Sequence, residues 1–186
     1  MTKKVGKMLL SDVELQEKLQ SIRALLLDCD GVLSDGHLLY SENGPTGLRF
    51  FAQDGLGLAV LARTGVRIGI ISGRSTDIAE ARHKELGVEF FVGKCRNKSK
   101  AIREILEAEN ISPEEVIFVG DDLADLGAFQ AVGVRIAVQN AVPELKERAH
   151  YITKAAGGYG AVREVTELVL RAQNRWEEIL LALERA

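Results

Sequence analysis

The 186-residue sequence predicts an α/β fold in which a doubly wound, Rossmann-like parallel sheet lies between two helical layers, a three-layer α/β/α arrangement. Three observations predict it. Short apolar runs recur at Ala24–Asp28, Val66–Ser72, Glu89–Val92, Val116–Asp121 and Val134–Val138, continuous rather than alternating, as strands covered on both faces require. Amphipathic stretches of helical length lie between them, about Gly55–Thr64, Thr76–Leu86, Lys98–Asn110 and Leu123–Ala131. The joints carry stop signals, with Gly65 and Gly87 after helices and Ser112-Pro113 ahead of a strand.

Local signals define the remaining elements in chain order. Ser11 with Glu14 three residues later forms a capping-box pattern, predicting an N-terminal packing helix to about Ile22 and setting residues 1–22 apart from a single domain over 23–186. His37–Ser41 and Leu48–Ala52, around Glu42-Asn43-Gly44-Pro45, predict a β-hairpin at about 37–52, inserted between the first strand and the first helix of the sheet layer. After the glycine-rich Ala156–Gly160, one long helix is expected from Ala161 to Ala186.

Composition narrows the function. Hydrophobic residues make up 46% and only 3 residues are proline, which is a folding composition and not a disordered one. The 24 basic and 27 acidic side chains leave a charge of −3, so no basic field exists to hold nucleic acid or an anionic membrane. Cys29 and Cys95 form no CxxC pair, which fits neither a disulfide framework nor a zinc site and points to a reducing compartment. The apolar run Met8-Leu9-Leu10 is too short for a signal peptide, and no stretch reaches membrane-spanning length. A soluble, cytoplasmic protein is expected.

The chemistry is concentrated at strand ends. Leu25–Leu27 runs into Asp28-Cys29-Asp30-Gly31, and Val116–Val119 runs into Gly120-Asp121-Asp122 with Asp125 beyond. In open α/β sheets ligands bind outside the carboxyl ends of strands. If the two strands are neighbours, Asp28, Asp30, Asp121, Asp122 and Asp125 share one crevice, and their mutual repulsion calls for a divalent cation. Magnesium suits an all-oxygen site with few protein ligands. Asp121 or Asp122 could equally cap the following helix. A third strand ends in Ser72-Gly73-Arg74, whose hydroxyl and backbone N–H groups suit a phosphate oxygen, and Lys98 at a helix start, with Lys94 and Lys100 competing for the role, adds positive charge.

Taken together, Asp28–Gly31, Ser72-Gly73-Arg74, Lys98 and Gly120–Asp125 resemble, in order, the four motifs of the haloacid dehalogenase superfamily of phosphotransferases. With Asp35-Gly36, Gln53–Gly57 and Gly157–Glu164, the likeness extends from about Ile22 to Trp176 and is closest to the capless 3-deoxy-D-manno-octulosonate 8-phosphate phosphatase family. The spacing leaves no room for a cap domain. The resemblance implies a magnesium-dependent homotetramer acting on a small phosphorylated substrate. It implies Asp28 as nucleophile and Asp30 as general acid and base. Magnesium would be held by Asp28, the Asp30 backbone carbonyl and Asp121. Ser72, Gly73 and Lys98 would bind the phosphoryl group, with Asp122 and Asp125 supporting the metal waters and Lys98. It further implies that the hairpin residues Leu38, Leu39, Tyr40 and Phe50 contact another chain, the alternative being that they pack on their own sheet.

Gln53, Asp54, Gly55, Arg74 and Arg82 are the candidate substrate residues. Family positions that are commonly basic are neutral here at Gln53, Ala59 and Tyr159, leaving Arg74 and Arg82 as partners for a sugar-acid carboxylate. Two other readings therefore stand beside the octulosonate ester. One is a related phosphatase for a nine-carbon sugar acid or an aromatic phosphate, as in the delta subunit of phenylphosphate carboxylase. The other is a non-catalytic subunit that keeps the fold.

Overall fold

A computed structural model describes residues 9–185. Residues 1–8, which hold most of the expected non-signal N-terminus, and Ala186, the expected last residue of the terminal helix, lie outside the described residues.

Six parallel strands form one sheet in the order β5-β4-β1-β6-β7-β8. They are β1 (Ala24–Leu27), β4 (Arg67–Ile71), β5 (Phe90–Val92), β6 (Val116–Gly120), β7 (Val134–Ala137) and the short β8 (Tyr151–Ile152). A separate two-stranded antiparallel hairpin pairs β2 (Leu39–Ser41) with β3 (Gly44–Gly47). Helices flank the sheet: α1 (Asp12–Gln20), α2 (Ala52–Ala62), α3 (Asp77–Glu85), α4 (Lys98–Glu109), the single turns α5 (Leu126–Phe129) and α6 (Pro143–Lys146), α7 (Ala161–Ala172) and α8 (Trp176–Glu184). This is the expected doubly wound α/β class with an inserted hairpin.

β1 lies at the centre because Leu25, Leu26 and Leu27 have no polar atom beyond the backbone to satisfy, and all three are fully buried. Its register sets the height of the neighbouring strand ends. Leu27 pairs with Ile70 of β4 on one side and Val119 of β6 on the other, so the three strand tips end within one residue of one another. The caps match the sequence signals. Ser11 and Glu14 close a reciprocal capping box on α1, with Ser11 N–H donating to Glu14 at 2.9 Å and Glu14 N–H donating to Ser11 Oγ at 3.3 Å. Thr76 caps α3, and Asn110 ends α4 in the left-handed conformation.

Three expectations need correction. The second hairpin strand is Gly44–Gly47 and not Leu48–Ala52, because a two-residue turn at Glu42-Asn43 closes as soon as Gly44 supplies φ +113°. Phe50 makes one isolated bridge to Ser34, and Ala52 already begins α2. The stretch Leu123–Ala131 is a 3₁₀ turn at Leu123–Asp125 followed by the short α5. The long terminal helix is two helices, broken where Asn174 takes φ +57° and Arg175 N–H donates back to Leu170 O at 2.8 Å. β8 has no counterpart among the expected strands, since two half-buried residues leave no periodic trace.

His83 of α3 is buried against Phe91, ring centroids 4.2 Å apart, and neither ring nitrogen has a hydrogen-bond partner. Burial lowers its pKa to about 4. The unfolded chain therefore takes up a proton near pH 6.5 that the folded chain refuses, so stability is lost as pH falls through that window. His150 of the β7–β8 connection is also lowered to about 4, by burial and by Arg135. His83→Leu is expected to remove this contribution, so that the urea midpoint of the parent falls relative to that of the variant between about pH 6.5 and 4, the active-site acids acting alike in both. An unchanged slope would show that His83 does not stay neutral.

Candidate active site at the strand tips

The residue after β1 is Asp28, still tied to the sheet by its N–H, which donates to Val119 O at 3.0 Å. The chain then turns sharply through Cys29–Leu33, with Gly31 at φ +86°. A side chain at Gly31 would collide with the Asp121 carboxylate, so glycine serves here both for its backbone angle and for the approach of the two acidic loops. Asp121 follows β6, the strand next to β1.

Carboxylate oxygens of Asp28, Asp121 and Asp125 lie within 4.8 Å of one another. A single ammonium sits among them. Lys98 Nζ, buried at the first residue of α4, donates to Asp28 Oδ2 at 2.8 Å and Asp125 Oδ1 at 2.6 Å. Burial alone would lower the Lys98 pKa, but Asp28 and Asp125 outweigh it and hold it above the ordinary lysine value. Asp125 is fully engaged: its other oxygen accepts the Asp121 N–H at 2.9 Å and the Asp122 N–H at 3.3 Å. It props up Lys98 and the Asp121 loop, which leaves Asp28 and Asp121 to face a ligand.

Three ionised carboxylates against one ammonium leave two uncompensated negative charges in a buried place. The acids respond accordingly. Burial, followed by Asp125 and Asp28, pushes Asp121 up to about 8, and burial followed by Asp125 raises Asp28 despite the adjacent Lys98. Asp121 Oδ1 is buried with no hydrogen-bond partner. An orphaned buried carboxylate oxygen beside a doubly negative cluster of hard donors fits a magnesium ion.

Asp30 stands on the other side of the turn. Its carboxylate lies 3.6 Å from Arg74 Nε, and burial raises its pKa against the lowering influence of Arg74 and Lys98. Cys29, between the two acids, is buried, and burial and both carboxylates push its thiol up, so it is not a competing thiolate. Ser72 is buried at the tip of β4, its Oγ accepting the Arg74 N–H at 3.2 Å, with Gly73 between them in the turn. Arg74 Nη2 also donates to Tyr40 Oη of the hairpin at 2.8 Å. A narrow cleft is lined by Cys29, Asp30, Ser72 and Arg74 together with Leu38, Leu39 and Leu48.

Other candidates fall elsewhere. Asp122 is exposed and caps the 3₁₀ turn through Leu123 N–H at 2.7 Å, the capping alternative for the second acidic cluster. Asp54, expected to meet substrate, is fully buried, and its oxygens accept the N–H groups of Arg163 at 2.7 Å and Gly160 at 3.3 Å. Gly55 is buried where a β-carbon would meet the Arg82 guanidinium, and Gln53 is exposed on the first turn of α2. Arg82 pairs with Glu85 at 2.9 Å and lies over the Phe50 ring, so Phe50 packs on its own chain rather than facing outward. Leu38, Leu39 and Tyr40 are exposed.

A family profile described as haloacid dehalogenase-like hydrolase matches residues 88–164. The 3-deoxy-D-manno-octulosonate 8-phosphate phosphatase of Escherichia coli B is 41% identical over 165 residues, 89% of this chain and 88% of that protein. The chain belongs to the 3-deoxy-D-manno-octulosonate 8-phosphate phosphatase family. Among solved members of that family, the Moraxella catarrhalis phosphatase, in complex with magnesium, phosphate and KDO, superposes with a TM-score of 0.88 at 36% identity over 91% of this chain and 98% of that one. The cobalt-bound Haemophilus influenzae phosphatase gives 0.82 at 34% identity over 84% and 92%.

The charge imbalance has a measurable consequence. Asp28 and Asp121 in the metal-free fold keep protons that the unfolded chain loses near the ordinary carboxyl value of 3.8. Raising the pH from about 4 to about 8 therefore removes stability from the metal-free form. The melting temperature in magnesium minus that in EDTA is expected to widen steadily from about pH 5 to about pH 8, a difference in which the histidine contributions cancel. A gap independent of pH would mean that these acids do not hold the ion.

Proposed function

We propose that the chain is a magnesium-dependent phosphatase that hydrolyses 3-deoxy-D-manno-octulosonate 8-phosphate through an aspartyl-phosphate on Asp28. The observation that carries this reading is the pairing of Asp28 with Lys98 and Asp121 at the adjacent tips of β1 and β6. Asp28 attacks phosphorus, splitting the hydrolysis into two easier displacements. Asp30 has a raised pKa, so it can bring a proton to the departing sugar oxygen and then remove one from the attacking water. Lys98, held against Asp28 by Asp125, and the Ser72 hydroxyl with the Gly73 backbone bind the phosphoryl oxygens. Asp28, Asp121 and the Asp30 backbone carbonyl would hold the magnesium ion, which would supply positive charge against the phosphoryl group. Arg74, beside Asp30, is the cation available to a sugar-acid carboxylate, whereas Arg82 is engaged by Glu85 and Phe50.

Asp28→Asn is expected to abolish phosphate release from the octulosonate ester while leaving the melting curve cooperative. Lys98→Met is expected to lower kcat by about 10²–10³-fold, the range found when one donor to a developing oxyanion is removed. A steady-state phosphate assay checks both. Retained turnover in Asp28→Asn would end the mechanism, and a parent enzyme preferring a phosphate without a carboxylate would favour the aromatic-phosphate alternative.

The same reading includes a homotetramer in the cytoplasm. Leu38, Leu39 and Tyr40 project from the hairpin as exposed apolar surface next to the cleft, a position where a second copy would exclude water from the site. Leu39→Glu is expected to lower the mass seen by light scattering below the tetramer. A parent that runs as a monomer would overturn this part alone.

A further inference from the structure

Asp54 is a fully buried carboxylate to which the reaction gives no task. It stands in the first turn of α2, more than a hundred residues in sequence from the groups it holds. The residue that caps the start of α7 is Gly160, which has no side chain to do so, and Asp54 supplies the missing acceptor from another helix by taking the N–H groups of Arg163 and Gly160. Phe51, one residue ahead of α2, lays its ring against the same glycine.

What Asp54 anchors is the other end of a glycine-rich strap, residues 156–160, that lies directly on the active-site turn. Gly158 N–H donates to Val32 O at 2.9 Å, and Gly157 N–H donates to Asn140 Oδ1 at 2.8 Å. A β-carbon at Gly157 would overlap the Gly31 carbonyl, and one at Gly158 would overlap the Asp35 backbone, so the strap and the turn touch backbone to backbone. Gly31 in turn lies against the Asp121 carboxylate. From Asp54 a continuous chain of hydrogen bonds and close contacts leads through Gly160 and Gly158 to the turn that carries Asp28 and Asp30.

We infer that Asp54 is a positioning residue of this phosphatase, holding the 156–160 strap against the Cys29–Leu33 turn and thereby fixing the reacting carboxylates from behind. The inference rests on Asp28 and Asp30 being the reacting groups. Nothing in it requires Asp54 to touch substrate, which separates it from a binding role. A residue that sets the placement of reacting groups shows in kcat, whereas one that binds substrate shows in KM.

The test is Asp54→Asn in the full chain with saturating magnesium, read by steady-state phosphate release from the octulosonate ester and by hydrogen–deuterium exchange. The asparagine keeps one acceptor, but its amide group now meets an N–H donor. Expected are a kcat about ten-fold or more lower with KM within about two-fold, and faster exchange confined to residues 157–163 and 31–35, with β1, β4 and β6 still protected. A kcat within about two-fold of the parent overturns the inference. So does a kcat loss without local exchange at 31–35, or loss of protection spread evenly across the sheet. Should Asp54→Asn fail to fold, Asn140→Ala frees Gly157 from the opposite side and is expected to give the same kcat-specific loss and local exchange, an unchanged kcat again overturning it. A parent inactive on this ester would fail the functional reading, and the exchange pattern would still decide the inference.

Discussion

The structure depends on an electrostatic conflict at the tips of two adjacent strands. Asp28, Asp121 and Asp125 converge on Lys98 where burial makes every unpaired charge costly. Folding alone cannot resolve this, since one ammonium cannot neutralise three carboxylates and Asp121 keeps an oxygen without a partner. The protein therefore carries a destabilised site that a hard divalent ion and a phosphoryl group would complete together. Stability given up at the site when empty becomes affinity when it is filled, which is why acids so raised in pKa gather here and not across the surface.

The rest of the fold keeps that conflict in place. The pairing of β1 with β4 and β6 sets Asp28 level with Ile71 and Gly120, one residue short of Ser72 and Asp121, and the fully buried strand residues leave no slack for a slipped register. Asp125 serves twice, taking Lys98 with one oxygen and the backbone of the Asp121 loop with the other, so the orientations of Lys98 and of the Asp121 loop are fixed by one side chain. Glu164 plays a comparable part further out, its carboxylate accepting Tyr151 Oη at 2.7 Å and the N–H groups of Lys154 and Ala155 at 3.0 Å. Buried and half-buried carboxylates thus act as loop staples as well as chemical groups.

Much of the core of this was legible in the residues. Apolar runs ending in acids identify strand tips because a parallel sheet buries both faces and releases the chain only at its ends, and the helix caps of α1, α3 and α4 follow from local hydrogen bonding alone. What could not be read depends on contacts distant in sequence. Asp54 beside Gly55 has the look of a ligand-facing loop, and only its meeting with Gly160 and Arg163 reveals a cap supplied from another helix. Asp122 and Asp125 are three residues apart in the same motif, yet one is exposed and the other fully buried, a division set by the 3₁₀ turn between them. Sequence pattern misplaces the second hairpin strand because Leu48–Phe50 has strand-like composition, while the actual strand Gly44–Gly47 has almost none and forms because the turn before it closes.

The three neutral positions at Gln53, Ala59 and Tyr159 gain a physical meaning from this arrangement. Gln53 sits in the first turn of α2, Ala59 lies further along that helix and Tyr159 belongs to the glycine strap, so all three are on the elements that Asp54 ties together. The hairpin side, by contrast, keeps Arg74, fixed between Tyr40 and Asp30 and opening on the cleft. On the proposed function Arg74 would orient a carboxylate-bearing substrate from the hairpin side, where a planar guanidinium already held at two of its nitrogens loses little freedom on binding. On that reading discrimination among phosphate esters would lie between Tyr40 and Asp30, while the α2 and α7 side, tied together by Asp54, backs the Cys29–Leu33 turn.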